Sequence, residues 1–187
     1  MALFTGQGDD GKTKLFACDQ KLSKSSRVAD ALGDLDELNS WLGVCKTKVK
    51  DQGVTLAAKE TPWSLAEVLE EAQNNLFLIQ AELAGADKHL PAESVAGMEK
   101  LIGEIEQELP LIKNFVVAGG TELSALLDYA RAVARRAERK MVAVAEAGDT
   151  EVEKDTLAYL NRLSSLLFAL ARLANHQAGV VENRPVY

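Results

Sequence analysis

The stretch Gly6-Gln-Gly-Asp-Asp-Gly-Lys-Thr13 satisfies the pattern G-x-x-x-x-G-K-[ST] of a phosphate-binding loop. Its reading decides the fold, because that loop works only between a buried parallel strand and a helix whose N-terminus supports the phosphates. Only five residues precede Gly6, and Lys14-Leu-Phe-Ala-Cys18 does not read as a helix opening. No alternation of strands and helices follows, so the P-loop fold is rejected. The local chemistry survives. Gly6, Gly8 and Gly11 allow backbone N–H groups to approach an anion, and Lys12 and Lys14 add charge. Taken alone, the same stretch also reads as a flexible tail.

A chain of 187 residues suits one domain able to bury a substantial core. With 47% hydrophobic and 26% charged residues it reads as a soluble globular protein. A net charge of -7 argues against general binding to nucleic acid or to an anionic membrane. Met1–Thr5 carries no apolar signal region and no run is long enough to span a bilayer, so the expectation is a cytoplasmic protein. Cys18 and Cys45 form no CxxC pair and read as small buried hydrophobes or idle thiols in a reducing cytosol.

Working outward from the loop, helix signals dominate. A helix is expected from about Ala29 to Val49. A second follows a cap at Thr61-Pro62, or a capping box Ser64-Leu-Ala-Glu67, and runs to about Gly85. Pro91 opens a third pattern that stops near Pro110. Gly119-Gly-Thr121 breaks the chain and caps a fourth helix to about Ala147. Gly148-Asp149 is a tight turn, and Thr150-Glu-Val-Glu153 reads as the capping box of a fifth helix ending near His176. The expected fold is therefore all-α, a five-helix bundle with an N-terminal glycine-rich loop. One domain covers 1–187, with the loop segment at 1–26, the bundle at 27–178 and a C-terminal tail at 179–187.

Tyr129–Lys140 places five cations in twelve residues of an acidic protein. At about 100° per residue, Arg131, Arg135 and Glu138 share one stripe beside an apolar face of Leu123, Leu126, Ala130, Val133, Ala134, Ala137 and Met141, while Arg136 and Lys140 point outward. A solvated face of charge pairs is one reading. The last helix offers another, because beside its leucines runs a stripe of Asn161, Ser164, Phe168, Arg172 and Asn175. Counted from Asp149, Glu138 lies eleven residues away, Asn161 twelve and Arg135 fourteen, so antiparallel helices bring them level. An arginine, a carboxylate and an amide converging between helices suit a polyphosphate, with the carboxylate able to hold a cation. Asp36 on the first helix reads either as a partner for one of the arginines or as helix N-terminal acidity.

Gly8-Asp-Asp-Gly11, Asp36-Glu-Leu-Asn-Ser40, Phe115 followed by Gly119-Gly-Thr121, Ala130-Arg131 with Arg135-Arg-Ala-Glu-Arg139, and Asn161-Arg-Leu-Ser164 occur in this order. Together they resemble the PduO-type ATP:cob(I)alamin adenosyltransferases over nearly the whole chain. The resemblance implies a five-helix bundle assembling as a homotrimer, with ATP bound between subunits and the glycine loop folded over its phosphates. The implied reaction is attack of cobalt(I) of reduced cobalamin on the 5′ carbon of ATP, giving adenosylcobalamin and triphosphate, with Mg2+ assisting. A cobalamin reductase and an adenosylcobalamin-dependent acceptor enzyme are implied as functional partners.

Carried across by this resemblance, the nucleotide-binding positions are Thr5, Gly6, Gln7, Gly8, Asp9, Gly11, Thr13, Lys14 and Lys24 in the loop segment. On the last two helices they are Arg135, Arg136, Glu138, Arg139 and Asn161, with Glu138 also a candidate Mg2+ ligand. Asp36 and Arg131 match a pair forming an intersubunit salt bridge. Phe115 matches the aromatic residue that covers the lower face of the corrin and displaces the axial base. Gln7 stands where the family loop has a threonine, Gly6 where a basic residue is common, and Leu32 where an aromatic is common. These departures bear on the phosphate contacts more than on the reaction class.

Three rival readings remain distinguishable. A ferritin-like metal protein needs Glu-x-x-His pairs, but Ala86 and Leu173 precede His89 and His176 by three. A non-enzymatic helical module would use the arginine stripe without ATP, and an ATPase would release phosphate rather than triphosphate.

Overall fold

The computed structural model describes residues 3–16, 21–52 and 64–186. A two-stranded antiparallel hairpin, β1 (Lys12–Lys14) and β2 (Lys21–Ser23), precedes five helices. These are α1 (Arg27–Gln52), α2 (Leu65–Leu83), α3 (Ser94–Glu108), α4 (Glu122–Ala147) and α5 (Lys154–Gln177). The glycine stretch leads into a strand, not a helix, which agrees with the rejection of a P-loop fold. Thr61-Pro62 lies outside the described residues, as does Cys18. The alternative cap is present: Ser64 Oγ accepts from Glu67 N at 3.1 Å while Ser64 N donates back to Glu67 Oε2 at 3.0 Å.

α4 packs against both α5 and α1, α1 also packs on α2, and α3 lies on α5. The small side chains of Ala130, Ala134 and Ala137, all fully buried, let two helices approach α4 closely. Leu127, rather than Leu126, completes its core face, and Leu126 is only half-buried. Leu35, Leu38, Leu42 and Cys45 form the apolar side of α1, and burial pushes the Cys45 thiol up to about 12. Asn39 on that helix is also buried and exchanges hydrogen bonds with Gln73 of α2, its Nδ2 donating to the Gln73 carbonyl at 3.1 Å. Gly148, at φ 66°, closes α4 in the left-handed conformation that glycine adopts without strain.

The expected capping box Thr150–Glu153 is not formed. α5 begins at Lys154 with Glu153 at its N-cap, and the caps come from another helix. Glu82 of α2 accepts from Glu153 N at 3.1 Å and from Thr156 Oγ1 at 2.7 Å. A carboxylate reaching in from α2 satisfies the orphan donor and complements the helix dipole, so no local box is needed. Glu82→Ala is accordingly expected to lower the free energy of unfolding by about 1–2 kcal/mol, while Thr150→Ala leaves it unchanged. Denaturant titration of both variants checks this.

His89 fixes the same end of the bundle. Its Nε2 lies 3.0 Å from Asp87 Oδ1 and its Nδ1 lies 2.9 Å from Glu153 Oε1, so both ring nitrogens donate and the imidazolium is favoured. The hydrogen bond to Asp87, then the charge of Glu153, holds its pKa above the usual histidine value. A raised folded-state pKa stabilises fully below the unfolded value and ceases to do so as pH rises through the folded value. The difference in unfolding midpoint between wild type and His89→Gln is therefore expected to be constant at acid pH and to vanish above the raised pKa. Thermal unfolding between pH 5 and 9 measures it.

Candidate active site

The α4–α5 seam brings Asn161 and Glu138 together, two of the three residues that the level count placed side by side. Asn161 Nδ2 donates to Glu138 Oε1 at 2.8 Å, and the guanidinium carbon of Arg131 stands 5.2 Å from the centroid of the Phe168 ring. Arg135 lies between these two contacts in sequence, and its side chain is exposed. Arg139 Nη1 donates to the Arg135 carbonyl at 2.9 Å. Arg162, quoted in the sequence motif but given no role there, orients the amide: its Nη1 donates to Asn161 Oδ1 at 2.7 Å and its Nε to Glu99 Oε1 at 2.8 Å. With Oδ1 occupied by a donor, the Asn161 amide is held with its NH2 toward Glu138. The arrangement is a carboxylate with one bonded and one spare oxygen, bordered by arginines.

Arg136 and Lys140 do not point outward. α1 runs antiparallel to α4, so Asp34 and Glu37 meet Arg136, and Asp30 meets Lys140. Arg136 Nε donates to Asp34 Oδ2 at 2.9 Å, and this bond holds the guanidinium pKa above its ordinary value. The acidic turn of α1 thus has a cross-helix use beyond its dipole. Asp36, between those acids, is exposed, and among the described residues neither it nor Arg135 has a side-chain partner. Within one chain Asp36 and Arg131 are not brought together.

The glycine stretch forms successive turns, Asp9 N bonding the Gly6 carbonyl and Gly11 N the Gly8 carbonyl. Gly6 and Gly11 have φ 68° and 74°, where a side chain would be strained. Gly8 matters for another reason. The Lys24 Nζ donates to its carbonyl at 2.8 Å, and a Cβ on Gly8 would sit only 2.8 Å from that nitrogen. Asp10 pairs with Lys21 at 2.9 Å across the hairpin, which holds its carboxyl below the usual range. Thr13 and Leu22 are half-buried and Lys12, Lys14 and Lys21 exposed, so Thr13 and Lys14 lie on opposite faces of the hairpin. The hairpin's base is tied to the α4–α5 turn, Arg27 Nε donating to Asp149 Oδ2 at 2.7 Å.

Phe115 lies at the opposite end of the bundle, in the connection between α3 and α4. It is 79% exposed beside a cleft of about 490 Å³ walled by residues 109–116, by Arg172 and His176 of α5, and by residues 179–182 and Arg184. The chain after α5 turns back rather than trailing away, and Val117 N donates to the Asn183 carbonyl at 2.9 Å. Gly119 N donates to Asp128 Oδ2 at 3.0 Å, while Asn175 accepts from Thr121 N and donates to the Gly119 carbonyl. A Cβ on Gly120, at φ 118°, would lie 2.3 Å from Asn175 Oδ1, so this close approach requires Gly120, while Gly119 is needed for its φ of 117°. Burial holds the Asp128 carboxyl above its ordinary value. Arg172 and Asn175 were visible on the helical stripe, but their service to the Phe115 connection was not. It depends on where the last residues of the chain return.

Residues 3–174 match the model of the cobalamin adenosyltransferase family. The corrinoid adenosyltransferase PduO of Citrobacter freundii is 34% identical over 185 residues, covering 95% of this chain and 51% of that protein. The corrinoid adenosyltransferase of Bacillus subtilis is 35% identical over 185 residues, covering 96% of this chain and 90% of that one. The chain thus spans about half the length of the PduO relatives and most of the Bacillus one. A phenylalanine-to-histidine variant of the PduO-type ATP:corrinoid adenosyltransferase from Lactobacillus reuteri, solved in complex with cobalamin and ATP, has a TM-score of 0.84 to this structure. It is 31% identical, and the match covers 98% of this chain and 96% of that one. By family match, sequence identity and fold together, this chain belongs to the cobalamin adenosyltransferases.

Proposed function

We propose that the chain transfers the 5′-deoxyadenosyl group of ATP to cobalt(I) of reduced cobalamin, forming adenosylcobalamin and releasing triphosphate. The observation that carries this reading is the Glu138–Asn161 contact at 2.8 Å, one turn along α4 from the exposed Arg135, in a fold shared with structures holding ATP and cobalamin. Cobalt(I) is itself the nucleophile. Its electron pair forms the cobalt–carbon bond, the C5′–O bond breaks, and those electrons leave on triphosphate. The chain's tasks are alignment and charge neutralisation. Arg135, Arg136, Arg139, Asn161 and the loop residues Thr5, Gly6, Gln7, Gly8, Asp9, Gly11, Thr13, Lys14 and Lys24 are assigned to the nucleotide. Gln7 offers the phosphates an amide. Arg136 is held on the α1 side of α4 by Asp34 and Glu37, and would meet the nucleotide from there.

Glu138 keeps a carboxylate oxygen clear of Asn161, which fits a Mg2+ ion held chiefly by phosphates. Among the described residues no group of three or more His, Cys, Asp or Glu could hold such an ion without them. Bound there, Mg2+ supplies charge to offset the triphosphate. Phe115 covers the lower face of the corrin and keeps the axial base away, which eases reduction of cobalt(II).

The active unit is a homotrimer with intersubunit sites. Two observations support it. Asp36 and Arg135 lack side-chain partners within the described chain, and the hairpin's base and the Phe115 connection are tied to opposite ends of α4, a helix about 40 Å long at 1.5 Å per residue. Asp36 is assigned to Arg131 of a neighbouring copy. A reductase supplying cobalt(I) and an enzyme consuming adenosylcobalamin complete the sequence of reactions. The cytoplasm, reducing and rich in ATP, is the compartment this chemistry needs.

An anaerobic assay with ATP and chemically reduced cobalamin tests the reading, following loss of cobalt(I) absorbance and identifying the inorganic product. Triphosphate is expected, whereas phosphate release would mean an ATPase. Arg135→Ala and Phe115→Ala are each expected to lower turnover by tenfold or more, on the order of 1.4 kcal/mol of barrier. Unchanged rates in both would refute the assignment. Gly8→Ala, by displacing the Lys24 ammonium, is expected to raise the KM for ATP several-fold with less effect on cobalamin.

A further inference from the structure

Arg172 is the one charged residue buried in the helical core of the described chain, 8% exposed near the C-terminal end of α5. A buried guanidinium is costly unless its donors are met, and here two different segments meet them. Its Nε donates to both carboxylate oxygens of Glu182, at 3.2 and 3.0 Å, and its Nη2 donates to the Pro110 carbonyl at 3.0 Å. Pro110 begins the connection that carries Phe115, and Glu182 belongs to the segment that returns after α5. One residue beyond Glu182, the Asn183 carbonyl accepts from Val117 N at 2.9 Å, two residues past Phe115. The Phe115 segment is therefore gripped on both sides, at Pro110 and at Val117, and both grips lead back to Arg172. Phe115 itself is 79% exposed, so its position is set by its backbone.

We infer that Arg172 and Glu182 are positioning residues for Phe115: their ion pair locks the returning C-terminal segment against the α3–α4 connection and so fixes the aromatic ring that keeps the axial base off cobalt. The inference rests on the assignment of Phe115 to the lower face of the corrin. It makes residues 180–184 part of the catalytic apparatus rather than a tail. It also separates two functions in the chain. ATP is gathered by the middle of the α4–α5 seam and the hairpin, whereas the coordination state of cobalt is governed from the far end of α5.

The test uses the full chain with cob(II)alamin and ATP, reading the electron paramagnetic resonance signal for the nitrogen splitting that marks a bound axial base. Wild type is expected to show a large fraction without that splitting. Arg172→Met, close in volume and unable to hold either segment, is expected to reduce that fraction and to lower kcat by roughly tenfold to a hundredfold, what one charged hydrogen bond is worth. The KM for ATP should stay within about twofold. Glu182→Gln, which keeps an acceptor for Arg172 but not the charge, should fall between the two and guards against a folding defect in the first variant. Variants that melt earlier yet keep the wild-type cobalt signal and kcat would overturn the inference and leave Arg172 a purely structural residue. Phe115→Ala serves as reference. If it too leaves the cobalt signal unchanged, the assignment of Phe115 fails; if it alone removes the base-free fraction, the positioning role of Arg172 fails.

Discussion

The structure depends on how closely α4 is held between α1 and α5. Ala130, Ala134 and Ala137 are fully buried and give α4 almost no side-chain bulk where its two neighbours cross it. Such close packing leaves no room for long charged side chains in the centre, so the cations of α4 lie off its core face, Arg135 and Arg139 exposed and the others against a neighbouring helix. On the α1 edge Arg136 and Lys140 meet Asp34, Glu37 and Asp30. On the α5 edge Arg131 lies over Phe168 and Glu138 meets Asn161. The first edge is closed within the chain, and the second is left with an exposed arginine and a spare carboxylate oxygen. A small-residue stripe in the core thus determines where charge can be offered to a ligand.

Partnering also sorts the arginines by what each can do. Arg162 and Arg172 are committed to carboxylates and to a neighbouring amide or carbonyl, which makes them struts. Arg136 is held by two carboxylates of α1, Asp34 and Glu37. Arg135 has no such commitment and can meet a polyphosphate without breaking an existing pair, so its side chain gives up only water on binding. A guanidinium already held by two carboxylates would have to surrender one of them, and the gain from a phosphate would be reduced by that loss. The same logic applies to Lys24, whose ammonium rests on a backbone carbonyl, a weaker partner than a carboxylate. It can turn from Gly8 toward an anion at low cost.

Much of this was legible in the sequence because it follows from period and from counting. The 3.6-residue period fixed which faces of α4 and α5 meet, and the tight turn at Gly148-Asp149 set their register to within a residue, enough to place Asn161 against Glu138. What escaped reading has a common cause: each case depends on a partner from a remote segment. Thr150–Glu153 looks like a capping box, but Glu82 arrives from α2 and does the capping. Arg136 looks solvated until α1 supplies two acids. Asn39, within a motif that carries the resemblance, serves packing between α1 and α2 rather than a ligand. Residues 180–184 look like a tail because nothing local in them signals that Glu182 has a buried guanidinium to meet.

The two ends of the bundle then impose a requirement of their own. Arg27 and Asp149 tie the hairpin to the C-terminal end of α4, while Asp128 and Asn175 tie the Phe115 connection to its N-terminal end. A 26-residue helix is about 40 Å long, and no rearrangement of side chains closes that distance. The proposed reaction would bring cobalt and the 5′ carbon of ATP into contact, with the corrin on Phe115 and the triphosphate under the glycine loop. If both elements serve one reaction centre, they must come from different copies of the chain. On that proposal Asp36 and Arg135, both exposed and without a side-chain partner among the described residues, would be the charges through which one copy meets the next and receives its nucleotide.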